Sequence, residues 1–182
     1  IDASNIDGTL SGYENLGAGI RLKGGSSKYL ENVSIGNNTI TGFGRSNSNT
    51  SGSITCSFIS NAKISDNIIN KWMGPAILVN SFNNLTIYGN MALEVGFISG
   101  RLPDLDCMIY ALESLNESAP CTGLSVYGNF MTVNGDITGR KGFVFDSLKT
   151  PPIMFGNDFT AAIEGGYWPP ENLASSTATT PS

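Results

Sequence analysis

Leu85-Thr86-Ile87-Tyr88-Gly89-Asn90-Met91-Ala92 decides the fold, because the chain writes this phrase five times. The other copies occupy 33–40, 62–69, 124–131 and 152–159. All share apolar, x, apolar, x, small or polar, Asn, x, apolar. The first and third positions alternate as a half-buried strand does. The fifth and sixth, Gly-Asn, Asp-Asn or Asn-Asn, are turn residues. A strand that bends at the same point and returns at intervals of about one coil is the signature of a stacked β-solenoid.

The copies begin at 33, 62, 85, 124 and 152, so their spacings are 29, 23, 39 and 28. The shortest is read as a bare coil, and the others as that coil plus insertions. A second strand precedes each copy, at 19–23, 53–57, 76–80, 107–111 and 142–146. Each coil then runs strand, corner, strand, Asn turn and return loop. The extra residues fall mainly in the return loops, 41–52, 95–106 and 132–141, with one excursion at 112–120 on the other corner. Inward positions are Ile20, Leu22, Val33, Ile35, Ile54, Ile64, Ile77, Leu85, Ile87, Val126 and Met154. The turn residues Asn38, Asn67, Asn90, Asn129 and Asn157 stack from coil to coil, where their amides bond one another and satisfy buried carbonyls.

Composition fits this reading. Only 14% of the 182 residues are charged, and Gly counts 22. A net charge of −5 with ten Lys and Arg argues against a nucleic-acid groove. No run of about 18 apolar residues is present to insert in a membrane. The chain opens on Ile1, without initiator Met or signal peptide, and is read as a piece of a longer protein or a processed product. Residues 1–163 form the solenoid. In 164–173 the run Glu164 to Pro170 ends it, since a double Pro cannot continue a central strand. The stretch 174–182, rich in Ser, Thr and Pro, reads as a tail or linker. Cys56 falls at an inward position. Cys107 and Cys121 bracket the excursion, where either a disulfide or reduced thiols fit.

The Asn-turn coil of about 23 residues resembles the right-handed parallel β-helix of the pectate-lyase-like superfamily, over roughly residues 15 to 163. Within it, low charge, Gly and Asn richness and the absence of a leader are most similar to a bacteriophage tailspike segment. The resemblance implies an all-β, right-handed, single-stranded parallel β-helix of about five coils, with long loops on one edge. It implies binding, and in catalytic members depolymerisation, of a bacterial surface polysaccharide by a homotrimer located on the virion or outside the cell. The alternatives are a secreted polysaccharide lyase or epimerase and a non-catalytic stalk. The chain departs from the catalytic patterns of the secreted enzymes. It has no His, and Arg101-Leu102-Pro103 is followed by Asp106 where pectate lyases carry a second Arg.

Two groups of residues are candidates for chemistry. Tyr88, Tyr127 and Phe155 hold the outward fourth position in three successive coils, and aromatic faces stack on sugar rings. Glycosidases need two carboxyls at a set separation. Glu94, Asp104, Asp106 and Asp136 lie along the loop edge, where Arg101 and Arg140 are placed to hold a glycan carboxylate. No cofactor is expected. Calcium is the one metal these acids suit, and Asp104 with Asp106 falls short of its six to eight oxygens.

Overall fold

The computed structural model describes residues 1, 4–7, 17–43, 52–72, 74–95, 107–112, 121–132, 141–146 and 148–159. These residues contain strands and no helix. Five strands form one sheet: β1 (Asn5–Asp7), β5 (Thr39–Thr41), β7 (Ile68–Trp72), β9 (Met91–Val95) and β12 (Phe130–Met131), side by side in that order. The larger sheet is built on two long strands, β6 (Ile54–Ser65) and β8 (Ile77–Tyr88). On one side of β6 lie β2 (Ile20–Lys23), β3 (Leu30–Glu31) and β4 (Ser34–Gly36). Beyond β8, one row continues through β10 (Cys107–Leu112) to β13 (Lys141–Asp146), and another through β11 (Thr122–Tyr127) to β14 (Ile153–Phe155).

Among the described residues every strand pairing is parallel, and the register follows the sequence phrase. Ile35 pairs with Ile64, Ile64 with Ile87, Ile87 with Val126, and Val126 with Met154. Each phrase therefore lies beside its counterpart, in rungs. Parallel strands made from consecutive segments, arranged in two sheets, are compatible with a β-helix-like fold.

The inward positions read from the sequence fill the core. Ile20, Ile35, Ile54, Ile64, Ile77, Leu85, Ile87 and Val126 are buried, and Leu22, Val33 and Met154 are partly buried against them. Burying a Val, Leu or Ile side chain contributes about 1.5–3 kcal/mol, so this column is the main source of stability. Beside it runs the Asn column. Asn38, Asn67, Asn90 and Asn129 are at most 1% exposed. Each donates from Nδ2 to Oδ1 of the next Asn, at 2.9, 2.9, 3.0 and 2.9 Å, ending on Asn157. The same Oδ1 accepts the backbone N–H of the preceding Asn, at 3.0–3.1 Å. A buried amide is tolerable only when so satisfied.

The structure corrects one element of the sequence reading. The chain does not pass straight from the Asn turn into a return loop. It first forms the five-stranded sheet, whose inward Ile40, Ile69, Ala92 and Met131 are buried. The eighth, apolar position of the phrase is the first inward residue of that third row. The chain's first residues also add a rung. Ile1 donates its amino group to the Ser34 carbonyl at 2.9 Å, and Ser4 donates its N–H to Asn38 Oδ1 at 3.1 Å. None of the three Cys is in a disulfide, and all are buried. The segments 164–173 and 174–182, and most of the return loops, lie outside the described residues.

Candidate functional site

The strands β8, β11 and β14 turn alternate side chains out of the core, and pairing brings Tyr88, Tyr127 and Phe155 into one row. Tyr88 and Tyr127 stack with ring centroids 5.1 Å apart and planes at 7°. Tyr127 and Phe155 stack at 4.7 Å and 3°. These separations match the spacing of neighbouring strands, about 4.7–4.9 Å, so the rings are piled directly over one another. The piling has a chemical consequence. Tyr127 has a ring on both faces, and Tyr88 has one on its upper face. Their edges and phenol groups remain at the surface. Among the described residues, Phe155, 60% exposed, ends the row with a face that carries no ring. A sugar stacks on an aromatic face rather than its edge, and among the described residues Phe155 keeps such a face uncovered by another ring.

The row also stands farther from the return loops than the sequence suggested. Strand β9 follows Tyr88 and strand β12 follows Tyr127 before any loop begins. Glu94 lies in β9. Asp104, Asp106, Asp136, Arg101 and Arg140 fall outside the described residues. Among the described residues, no group of three His, Cys, Asp or Glu side chains is arranged to hold a metal ion.

A second surface, not anticipated from the sequence, lies upstream of the phrase on β6, β8 and β11. An open groove of about 870 Å³ is lined by Ser27, Lys28, Tyr29, Leu30, Glu31, Ser60, Asn83 and Thr122. Ser60, Asn83 and Thr122 come from three successive rungs, since Ser60 pairs with Asn83 and Asn83 with Thr122. The hairpin-like excursion closed by the Gly25–Lys28 bridge supplies the wall. Tyr29 sits in that wall, edge-on to Phe58 at 6.0 Å and 87°.

The chemistry of the groove floor is neutral hydroxyl and amide. Thr122 Oγ1 donates to Asn83 Oδ1 at 3.0 Å, which orients the amide and leaves the Asn83 Nδ2 hydrogens to solvent. Lys28 and Glu31 are exposed and opposite in sign. The signal for this groove was in the sequence: a polar residue stands two positions before every copy of the phrase, as Glu31, Ser60, Asn83, Thr122 and Thr150. It was overlooked because polar residues on an outward strand face are the ordinary pattern. Only the excursion at Gly25–Lys28, which the register does not foretell, turns them into a floor.

Comparison with protein-family models, with curated proteins and with solved structures finds no match to this chain.

Proposed function

We propose that this chain is a right-handed, single-stranded parallel β-helix of about five coils, belonging to a phage tailspike or receptor-binding protein of the pectate-lyase-like type. Its work is to hold a bacterial surface polysaccharide along the rod. The homotrimer and the virion or extracellular location belong to the same proposal.

The observation that carries this reading is the groove across three rungs. Its floor offers hydroxyl and amide groups, Ser60, Asn83 and Thr122, at a repeat of one strand spacing. Sugar hydroxyls are met by such groups, and Tyr29 in the wall supplies an amphipathic aromatic. Among the described residues that line the groove, Lys28 is the one cation, short of the cationic cluster an acidic-polymer lyase needs, which supports the spike over the secreted enzyme. The stacked Tyr88, Tyr127 and Phe155 give specific support to a second reading, the non-catalytic stalk, because rings that cover one another serve the scaffold first.

Binding of the host's surface polysaccharide, measured by titration calorimetry, separates the two. The spike reading expects Asn83→Ala with Thr122→Val to weaken binding at least ten-fold while the melting curve holds. No binding by the parent chain leaves the stalk. Depolymerisation is tested separately by the combined change Glu94→Gln, Asp104→Asn, Asp106→Asn and Asp136→Asn. Loss of glycan cleavage places a catalytic pair among these acids, and unchanged cleavage removes them from that role.

A further inference from the structure

Within the groove, Asn83 is held in one orientation. Thr122 Oγ1 donates to its Oδ1 at 3.0 Å, so the exposed side chain turns its Nδ2 hydrogens to the open groove. A donor fixed this way calls for an acceptor, and an amide carbonyl accepts without bringing a hydrogen of its own. The corner beside the floor already makes such a pair between neighbouring rungs: Asn84 donates from Nδ2 to Asn61 Oδ1 at 2.9 Å. Ser60 pairs with Asn83 and supplies a hydroxyl that can give or accept. Leu30 precedes Glu31, the other partner of Ser60, and is 37% exposed. With Tyr29 it stands as an apolar wall beside the polar floor.

We propose that the groove selects a glycan bearing acetamido groups, an N-acetylated amino sugar, over one bearing hydroxyls alone. This selectivity rests on the glycan-binding reading of the same groove and adds the chemical class of the sugar. An acetamido group meets three features of the groove at once. Its carbonyl accepts from Asn83 Nδ2, its N–H donates to Ser60 Oγ, and its methyl covers Leu30 and the Tyr29 ring.

Other sugar substituents fit less well. A ring hydroxyl at the same place brings no methyl and bonds water as readily as it bonds the floor. A carboxylate gains little from charge, because Lys28 attracts it, Glu31 repels it and both are exposed. A protonated amine brings donor against donor at Asn83.

The test uses the full chain and three tetrasaccharides that share one β-linked glucose backbone and differ at the second ring carbon. The chitin tetramer carries acetamido groups there, the cellulose tetramer hydroxyls and the chitosan tetramer amines. In saturation-transfer NMR titrations, the chitin tetramer should bind about ten-fold or more tightly than the other two, with its methyl protons receiving the strongest saturation. Asn83→Asp keeps the side-chain shape and removes both donors, so the preference should pass to the amine tetramer. Thr122→Val, which releases the amide, should lose the preference, and Thr122→Ser should keep it, with melting curves unchanged in all three. Equal binding of the chitin and cellulose tetramers overturns the acetamido selectivity and leaves the glycan groove standing. Ring protons saturated more strongly than the methyls overturn it as well, as does an unchanged preference in Asn83→Asp or Thr122→Val. Absence of binding by all three tetramers also overturns it, and the titration with the host's polysaccharide then decides the groove itself.

Discussion

Through its backbone N–H and its side-chain amide, Asn90 takes part in six hydrogen bonds, with Asn67, Asn129, Ile64 and Tyr88. Leucine has the same branched arrangement of side-chain heavy atoms but no side-chain amide to give or accept a hydrogen bond. Asn90→Leu should therefore cost about 3 kcal/mol or more, since each buried group left unsatisfied costs about 1–3 kcal/mol. Asn157→Leu, at the partly exposed end of the ladder, should cost less than half as much in the same urea titration. Equal losses would show that the ladder carries no special weight in mid-stack. Beside the ladder, Ile87 is fully buried and Thr86 is half-exposed on the opposite face of β8. Ile87→Asp should unfold the chain, because an unpaired buried charge consumes several kcal/mol of a stability of roughly 5–15 kcal/mol. Thr86→Asp should shift the melting temperature by only a few degrees. Cys56 gives a pH signature. Burial pushes its thiol up to about 12 from 9.0. The folded state thus binds a proton that the unfolded state releases first. The stabilisation is full below pH 9 and is lost as pH rises from 9 toward 12, with a slope of at most about 1.4 kcal/mol per pH unit. Cys56→Val should remove that part of the alkaline slope in melts at pH 8 to 11.

At the scale of the strand, corners decide where each rung turns. The phrase's fifth position adopts left-handed φ in every copy: Asn37 at 54°, Asp66 at 56°, Gly89 at 63°, Gly128 at 61° and Gly156 at 61°. This explains the choice of Gly, Asn and Asp there, the residues that enter this region most cheaply. Two of the three Gly corners, Gly89 and Gly128, differ in room. A Cβ on Gly89 would stand 2.5 Å from Asp66 Oδ1, whereas one on Gly128 would find nothing nearer than 3.9 Å. Gly128→Ala should cost about 1 kcal/mol of φ strain. Gly89→Ala should cost more, and Gly89→Ala with Asp66→Ala should recover the difference in a double-mutant cycle. These corners and the two strand rows of the larger sheet were legible because alternation and turn residues coincide in one short phrase. The third row was not. Its strands show only one or two inward residues, as in Thr39–Thr41 and Phe130–Met131, too few for alternation to register. The bends inside β6 and β8, at Phe58, Asn61, Ser81 and Asn84, fall at the corner read between the two strands of a coil, but which residues take the left-handed conformation there was not legible. Phe58 and Ser81 are not residues that announce a left-handed turn.

For the molecule as a whole, function was less legible than fold. The aromatic row was visible in the sequence, because its members share one position of a repeat. That its rings cover one another was not, because ring orientation depends on rotamers that spacing does not set. The groove depends on an insertion between β2 and β3 folding back over Ser60, Asn83 and Thr122, and no periodicity predicts where an insertion lands. The proposed homotrimer should sediment at about three times the chain mass of 19.2 kDa; a monomer at micromolar concentration would count against it. All these proposals rest on rungs stacked in register. Ser34 and Ile153 are 119 positions apart in the sequence, yet the registers place them in one column through Lys63, Thr86 and Ser125. Four strand spacings of about 4.8 Å separate them, or about 19 Å. Spin labels at these two outward positions should give a narrow distance distribution centred near 20 Å by pulsed electron resonance. A broad distribution, or a narrow one centred beyond 30 Å, would contradict the stacking and the groove built on it.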